Sequence, residues 1–89
     1  MTKERILAEA LKLAAASHYT AITREKVADA AGYTPAVVNY YFRTMTDLRV
    51  AVVDEATRTG ELRVVAQAAV AGHPVPAALK RKALRSYGV

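Results

Sequence analysis

The 89 residues predict an all-α protein: a three-helix, helix-turn-helix bundle followed by one long or kinked helix and a short C-terminal helix. Three observations carry this. Apolar residues recur three and four apart over residues 2–17 and again over 47–71, the period of helices with buried stripes. No segment alternates apolar and polar as a half-buried strand does. The stretch from Thr23 to Phe42, TREKVADAAGYTPAVVNYYF, stops a helix and starts another within a few residues.

The first helix is predicted over 2–17, with Thr2 as its N-cap. Ile6, Leu7, Ala10, Leu13 and Ala14 make one stripe, and Glu4, Arg5, Glu9 and Lys12 lie off it. Ser17-His-Tyr-Thr breaks the period and reads as a loop, with His18 a partly buried polar residue. The second helix is predicted over 23–31, capped by Thr23, with Val27, Ala28 and Ala31 inward. Gly32 stops it, because glycine takes the left-handed C-cap conformation without steric cost.

The third helix is predicted over 34–42. Thr34 caps it, and Pro35 falls at the first helical position, where its missing N–H costs nothing. Val38 and Phe42 are one turn apart and read as the inward pair. A helix turns by about 100° per residue, so Ala36 and Tyr40 then point away, with Val37 and Asn39 on the flanks. A merely solvated face would carry Lys or Glu; this one presses against something.

Thr46 is read as the next cap, with Asp47 in the first turn of a helix over 47–71. Leu48, Val52, Ala56 (or Glu55), Thr59, Leu62 and Ala66 mark one face. Val50, Val53, Val64, Ala68 and Ala71 are apolar elsewhere, and Asp54, Arg58 and Glu61 form a narrow polar strip. Gly60 costs roughly 1 kcal/mol against alanine inside a helix, which predicts a kink or break. The first helix can cover one apolar face. Val50, Val53 and Val64 are therefore read as a homodimer interface. Gly72-His-Pro-Val-Pro ends the helix, and Pro76 to Tyr87 reads as the last one, with Leu79 and Leu84 apolar and Gly88 as its stop.

Composition narrows the chemistry. There is no cysteine, so disulfides and thiolate zinc sites are excluded. His18 and His73 are too few for a metal site, and no cofactor is expected. No Ser–His–Asp order or phosphate-cradling glycine loop is present, so an enzyme is not expected. A membrane span needs roughly 20 mainly apolar residues, and Gly72, Pro74 and Pro76 break the longest uncharged stretch. The N-terminus resembles no secretory signal, so a cytoplasmic location is expected. The net charge of +5 lies wholly in residues 58–89, where six cations face one carboxylate, Glu61. Lys80, Arg81, Lys82 and Arg85 form a basic tail that points to a polyanionic partner, the competing reading being a solvated helix end.

Ile6-Leu7…Ala10, then Tyr19-Thr-Ala-Ile-Thr, Val27-Ala-Asp-Ala-Ala-Gly, Val38-Asn-Tyr-Tyr-Phe and Asp47-Leu48 form a spaced pattern. In order and spacing, residues 5–53 resemble the DNA-binding domain of the TetR family of bacterial repressors. The resemblance implies a three-helix DNA-binding head with the helix at 34–40 as the recognition helix. The chain is accordingly divided into a head over 1–46, which lays the helix over 34–42 in a major groove, and a helical extension over 47–89, expected from its apolar faces to dimerise. Carried over by residue, the resemblance implies base-edge contacts at Thr34, Pro35, Ala36, Val37 and Tyr40. It implies groove or phosphate contacts at Thr23 and Arg24, and phosphate contacts at Asn39, Tyr41, Arg43 and Thr44. The chain departs from the family at Met45, where a lysine is usual.

It also departs in length. The residues after the head are expected to be too few to enclose a drug-sized pocket, typically about 300–1,000 Å³, so no small-molecule inducer is expected. The chain reads as a miniature regulator, of a kind a phage or plasmid carries, or a fragment; the Met1 start favours a complete protein. The function expected is sequence-specific binding of double-stranded DNA at an inverted repeat, as a repressor. The alternative is a small helical protein-interaction module of a phage or plasmid regulatory system, served by Val37, Val50, Val53 and Val64 and by the neutral head.

Overall fold

The computed structural model describes residues 2–87 and contains six helices and no strand among them. They are α1 (Thr2–Ala16), α2 (Arg24–Ala31), α3 (Pro35–Tyr41), α4 (Met45–Thr59), α5 (Leu62–Val70) and α6 (Ala77–Tyr87). Met1 and Gly88, the expected stop of α6, lie outside the described residues.

Helix ends follow the local chemistry in most places. Thr23 Oγ1 accepts from the Lys26 N–H at 3.1 Å and starts α2. Gly32 ends α2 at φ +79°, a left-handed conformation, and hands its N–H to the Ala28 and Asp29 carbonyls. Ser17 closes α1 by donating its hydroxyl to the Leu13 carbonyl at 2.9 Å. The cap of α4 is displaced from its expected place. Thr44, not Thr46, accepts from the Asp47 N–H at 3.0 Å, because a cap bonds the amide three residues on and α4 begins at Met45. Thr2 is already helical rather than a cap.

The expected helix over 47–71 is two helices. Gly60 adopts φ +75° and caps α4, its N–H bonding to the Ala56 carbonyl, and the Glu61 N–H bonds the same carbonyl at 2.9 Å. The chain turns there, and α5 packs against α1 and α4, while α6 packs chiefly on α5. This fold-back corrects the reading of the apolar faces. Val53 and Val64 are buried within the single chain, beside Val52 and Val65, and are not available to a second subunit. Only Val50 of that trio is exposed. In α6 the fully buried residue is Ala83, and Leu79 and Leu84 are half-buried on either side of it.

One apolar core joins all six helices. Ile6, Ala10 and Ala14 of α1 are fully buried, as are Val27 of α2, Val38 of α3 and Leu48 of α4. Phe42 is also in this core, which fits Val38 and Phe42 as the inward pair of α3. Arg5 Nε donates to the Ala31 carbonyl at 2.9 Å and ties α1 to the end of α2. Gln67 of α5 clasps the loop after α1 from both sides: its Oε1 accepts from the Tyr19 N–H at 2.9 Å, and its Nε2 donates to the Ser17 carbonyl at 3.2 Å.

The polar strip of α4 carries a bidentate pair, Arg58 Nε and Nη2 donating to Glu55 at 2.8 and 2.7 Å. Those hydrogen bonds hold the Glu55 carboxyl below its ordinary range and raise the Arg58 guanidinium above its own. A lowered carboxyl contributes stability above its unfolded value and loses it as pH falls through its folded value. Exposure of Arg58 keeps the pair weak.

Gly60 offers a test whose sign is decisive. In a continuous helix, Gly60→Ala would stabilise by roughly 1 kcal/mol. At φ +75° an L side chain is strained although nothing lies within 4 Å of the added Cβ. We expect destabilisation by about 1–2 kcal/mol, read as a lower urea midpoint with unchanged slope.

Candidate nucleic-acid interface

The turn at Gly32 sets α3 against α2, and the burial of Val38 and Phe42 fixes how α3 is rotated. Ala36, Asn39 and Tyr40 are consequently exposed, and Val37 is half-buried on the flank. Tyr40 is 78% exposed, far more than a packing aromatic, and its ring meets Tyr41 edge-on with centroids 5.0 Å apart. Each phenol thus limits the other's rotation.

Thr34 and Pro35 are exposed at the start of α3. Thr34 holds the N-cap backbone conformation, yet its hydroxyl makes no cap hydrogen bond. Its carbonyl instead accepts from the Val37 and Val38 N–H groups at 3.0 and 3.4 Å. The hydroxyl is therefore uncommitted, unlike those of Thr23 and Thr44, which are spent on caps.

The second part of the surface is assembled across the chain. Arg24 Nη2 donates to the Arg43 carbonyl at 3.0 Å, which brings the start of α2 to the turn between α3 and α4. The Nε of the same guanidinium is buried without a partner, so the Arg43 bond is what holds the group. Arg43 and Thr44 are exposed in that turn, and Met45 is half-buried and packed on the core. Thr23, Arg24, Arg43 and Thr44 thus form one edge.

Sequence reasoning missed Lys3. Its Nζ lies 5.6 Å from the centre of the Phe42 ring, a cation–π distance, and it adds a cation where α3 ends. No local pattern signals it, because the two residues meet only through the tertiary fold. Arg5 and Arg49, in contrast, are spent on the carbonyls of Ala31 and Thr20. The basic residues Lys80, Arg81, Lys82 and Arg85 are exposed along α6, which has no carboxylate.

A family model described as bacterial regulatory proteins, tetR family, matches residues 6–52, more than half of the chain. The chain belongs to the tetR family. Neither the curated proteins nor the solved structures give a match. The tetR match covers most of α1, all of α2 and α3 and the first half of α4, so it contains α3 and the Thr23–Thr44 edge but neither Lys3 nor α6. Its members are DNA-binding transcription regulators rather than enzymes. Among the described residues no group of His, Cys, Asp or Glu could hold a metal ion, and no helix is long and apolar enough to cross a membrane. The protein-interaction alternative loses part of its ground, because Val53 and Val64 are core residues.

The C-terminal part and the loop after α1 together form a surface cleft of about 400 Å³, lined by His18, Arg63, Ala66, Gln67, Val70, Ala71 and Tyr87. The cleft exists because α5 and α6 fold back against the loop after α1, and it is open to solvent rather than enclosed.

The three N-cap threonines separate cap from surface. Thr23→Ala and Thr44→Ala should each cost about 1 kcal/mol of stability, while Thr34→Ala should cost well under half of that. Chemical denaturation of the three variants measures the contrast.

Proposed function

We propose that this tetR-family chain is a sequence-specific regulator of double-stranded DNA that lays α3 into the major groove and acts as a repressor. The observation that supports this most is the outward face of α3. It holds a small residue, an amide and a 78% exposed phenol, with no Lys or Glu to solvate it. An α-helix of this kind fits the major groove, where Tyr40 and Val37 reach thymine methyls and Thr34 and Asn39 reach hydrogen-bonding edges. Pro35 and Ala36 allow close approach of the helix start. Arg24, Arg43, Thr23 and Thr44, joined along one edge, serve the phosphates of the flanking strand, with Tyr41 beside them. Such contacts give register, and base edges give choice.

The protein acts as a homodimer on an inverted repeat, since a two-fold protein reads two half-sites. Val53 and Val64 are spent in the core, so the interface draws on other surface, Val50 included. The head over 1–46 reads DNA and 47–89 supports it. A bacterial cytoplasm is the compartment that this activity implies.

Selection from random duplexes identifies the operator and tests the reading directly. Tyr40→Ala should then weaken binding to the selected site by about 1–3 kcal/mol with an unchanged melting temperature. Equal affinity in a folded variant removes α3 as the reading helix.

The basic residues of α6 contribute long-range attraction without choosing sequence, because residues 1–57 carry balanced charge and the whole net excess lies beyond them. Replacing Lys80, Arg81, Lys82 and Arg85 with glutamine should weaken all duplexes equally. It should also shallow the slope of log K against log salt by about one unit for each phosphate no longer neutralised. An unchanged slope assigns phosphate binding to Arg24, Lys26, Arg43 and Lys3 instead. Sedimentation of the free and DNA-bound protein reads the dimer.

A further inference from the structure

We infer that the cleft between α5, α6 and the loop after α1 is a binding site for a small organic carboxylate with an apolar body. The inference is separate from the DNA reading and rests on the cleft alone. Its floor is Ala66, Val70 and Ala71, and Val70 is left 60% exposed. At about 400 Å³ it matches sites that hold small organic molecules.

The polar groups around that floor are all donors. Arg63 presents a guanidinium that, among the described residues, makes no ion pair and no hydrogen bond. The Tyr87 hydroxyl is likewise uncommitted among them, and the ring stays 48% exposed. His18 is oriented from behind: its Nδ1 accepts from the Thr20 N–H at 3.2 Å and meets the Thr20 hydroxyl at 2.8 Å. An Nδ1 that accepts a backbone N–H carries no hydrogen, so the hydrogen sits on Nε2, which becomes the ring's remaining donor. Gln67 is committed to the loop at both ends of its amide, which fixes its orientation in the cleft wall. No carboxylate lines the cleft.

Three donors, one of them a full cation, above an apolar floor select an anion that is apolar elsewhere. A metal ion has no oxygen ligands here. A polyphosphate would leave the apolar floor unused. A second copy of the chain would set Arg63 and the cations of α6 against their own kind. A carboxylate with an aromatic or aliphatic body satisfies the guanidinium in a bidentate pair and covers Val70 at once.

The test is a ¹H–¹⁵N titration of the full chain with 4-phenylbutyrate, with 4-phenylbutanol and acetate as controls. Saturable shifts for the carboxylate at the amides of residues 63–71 and at Tyr19 are expected, with weaker binding of both controls. Arg63→Gln should weaken 4-phenylbutyrate roughly tenfold and leave the alcohol unchanged, because only the charged hydrogen bond is removed. Val70→Glu, at an exposed position that tolerates polarity, should abolish carboxylate binding by repulsion while the spectrum stays folded. Equal affinity for acid and alcohol, shifts confined to Lys80–Arg85, or an Arg63→Gln variant that binds as well as the parent each overturn the inference.

Discussion

The arrangement depends on the burial of one narrow stripe on α1. Ile6, Ala10 and Ala14 are fully buried, and α1 touches α2, α4 and α5. Two of those residues are alanines, which lets the neighbouring helices approach closely where larger side chains would hold them apart. A single helix is therefore shared between the part that presents α3 and the C-terminal part. The rotation of α3 is fixed one step further on, by Val38 and Phe42 in the same core. The exposure of Tyr40 is thus a consequence of packing on its helix's opposite side. A short helix of seven residues has little stability of its own, so its aim is set by tertiary contacts.

The candidate interface combines two kinds of control. Along α3 the side chains are placed by helix geometry, and the chemistry is mostly apolar or neutral. Along the Thr23–Arg24 and Arg43–Thr44 edge, the placement comes from one long-range hydrogen bond, from Arg24 to the Arg43 carbonyl. The charge that would attract a polyanion over distance lies mainly elsewhere, on α6. In the proposed reading, close readout and long-range attraction are carried by separate elements, so balanced charge over residues 1–57 is compatible with a strongly charged partner.

Much of the first half was legible because its signals are local. Gly32, Thr23 and Pro35 each act within one helical turn, and a single helical period places Val38 and Phe42 inward and Tyr40 outward. The match to the tetR family over residues 6–52 agrees with that reading of the pattern. The chain beyond residue 47 was harder for a definite reason. Gly60 signalled an interruption, but not whether the chain bends or reverses, and that choice is made by distant partners. Once α5 reverses, Val53 and Val64 change from unpartnered to buried. The placement of Lys3 over Phe42, the Arg24–Arg43 bond and the cleft beside Arg63 arise from contacts between residues far apart in the chain. Periodicity carries no information on such contacts. The cap of α4 falls at Thr44 rather than Thr46 because two threonines compete there and both precede a plausible first turn.

The clasp of Gln67 on the loop after α1 links two places 48 and 50 residues apart. That loop leads directly into α2. As the chain leaves the ribosome at about 5–20 residues per second, the peptide groups of Ser17 and Tyr19 stay with water for roughly 1–5 s after α3 has been made. They find their partner only when α5 emerges. The order of synthesis and the order of completion therefore differ: the first segment translated is among the last to be fastened, and the helix-turn-helix part is finished by a residue outside it.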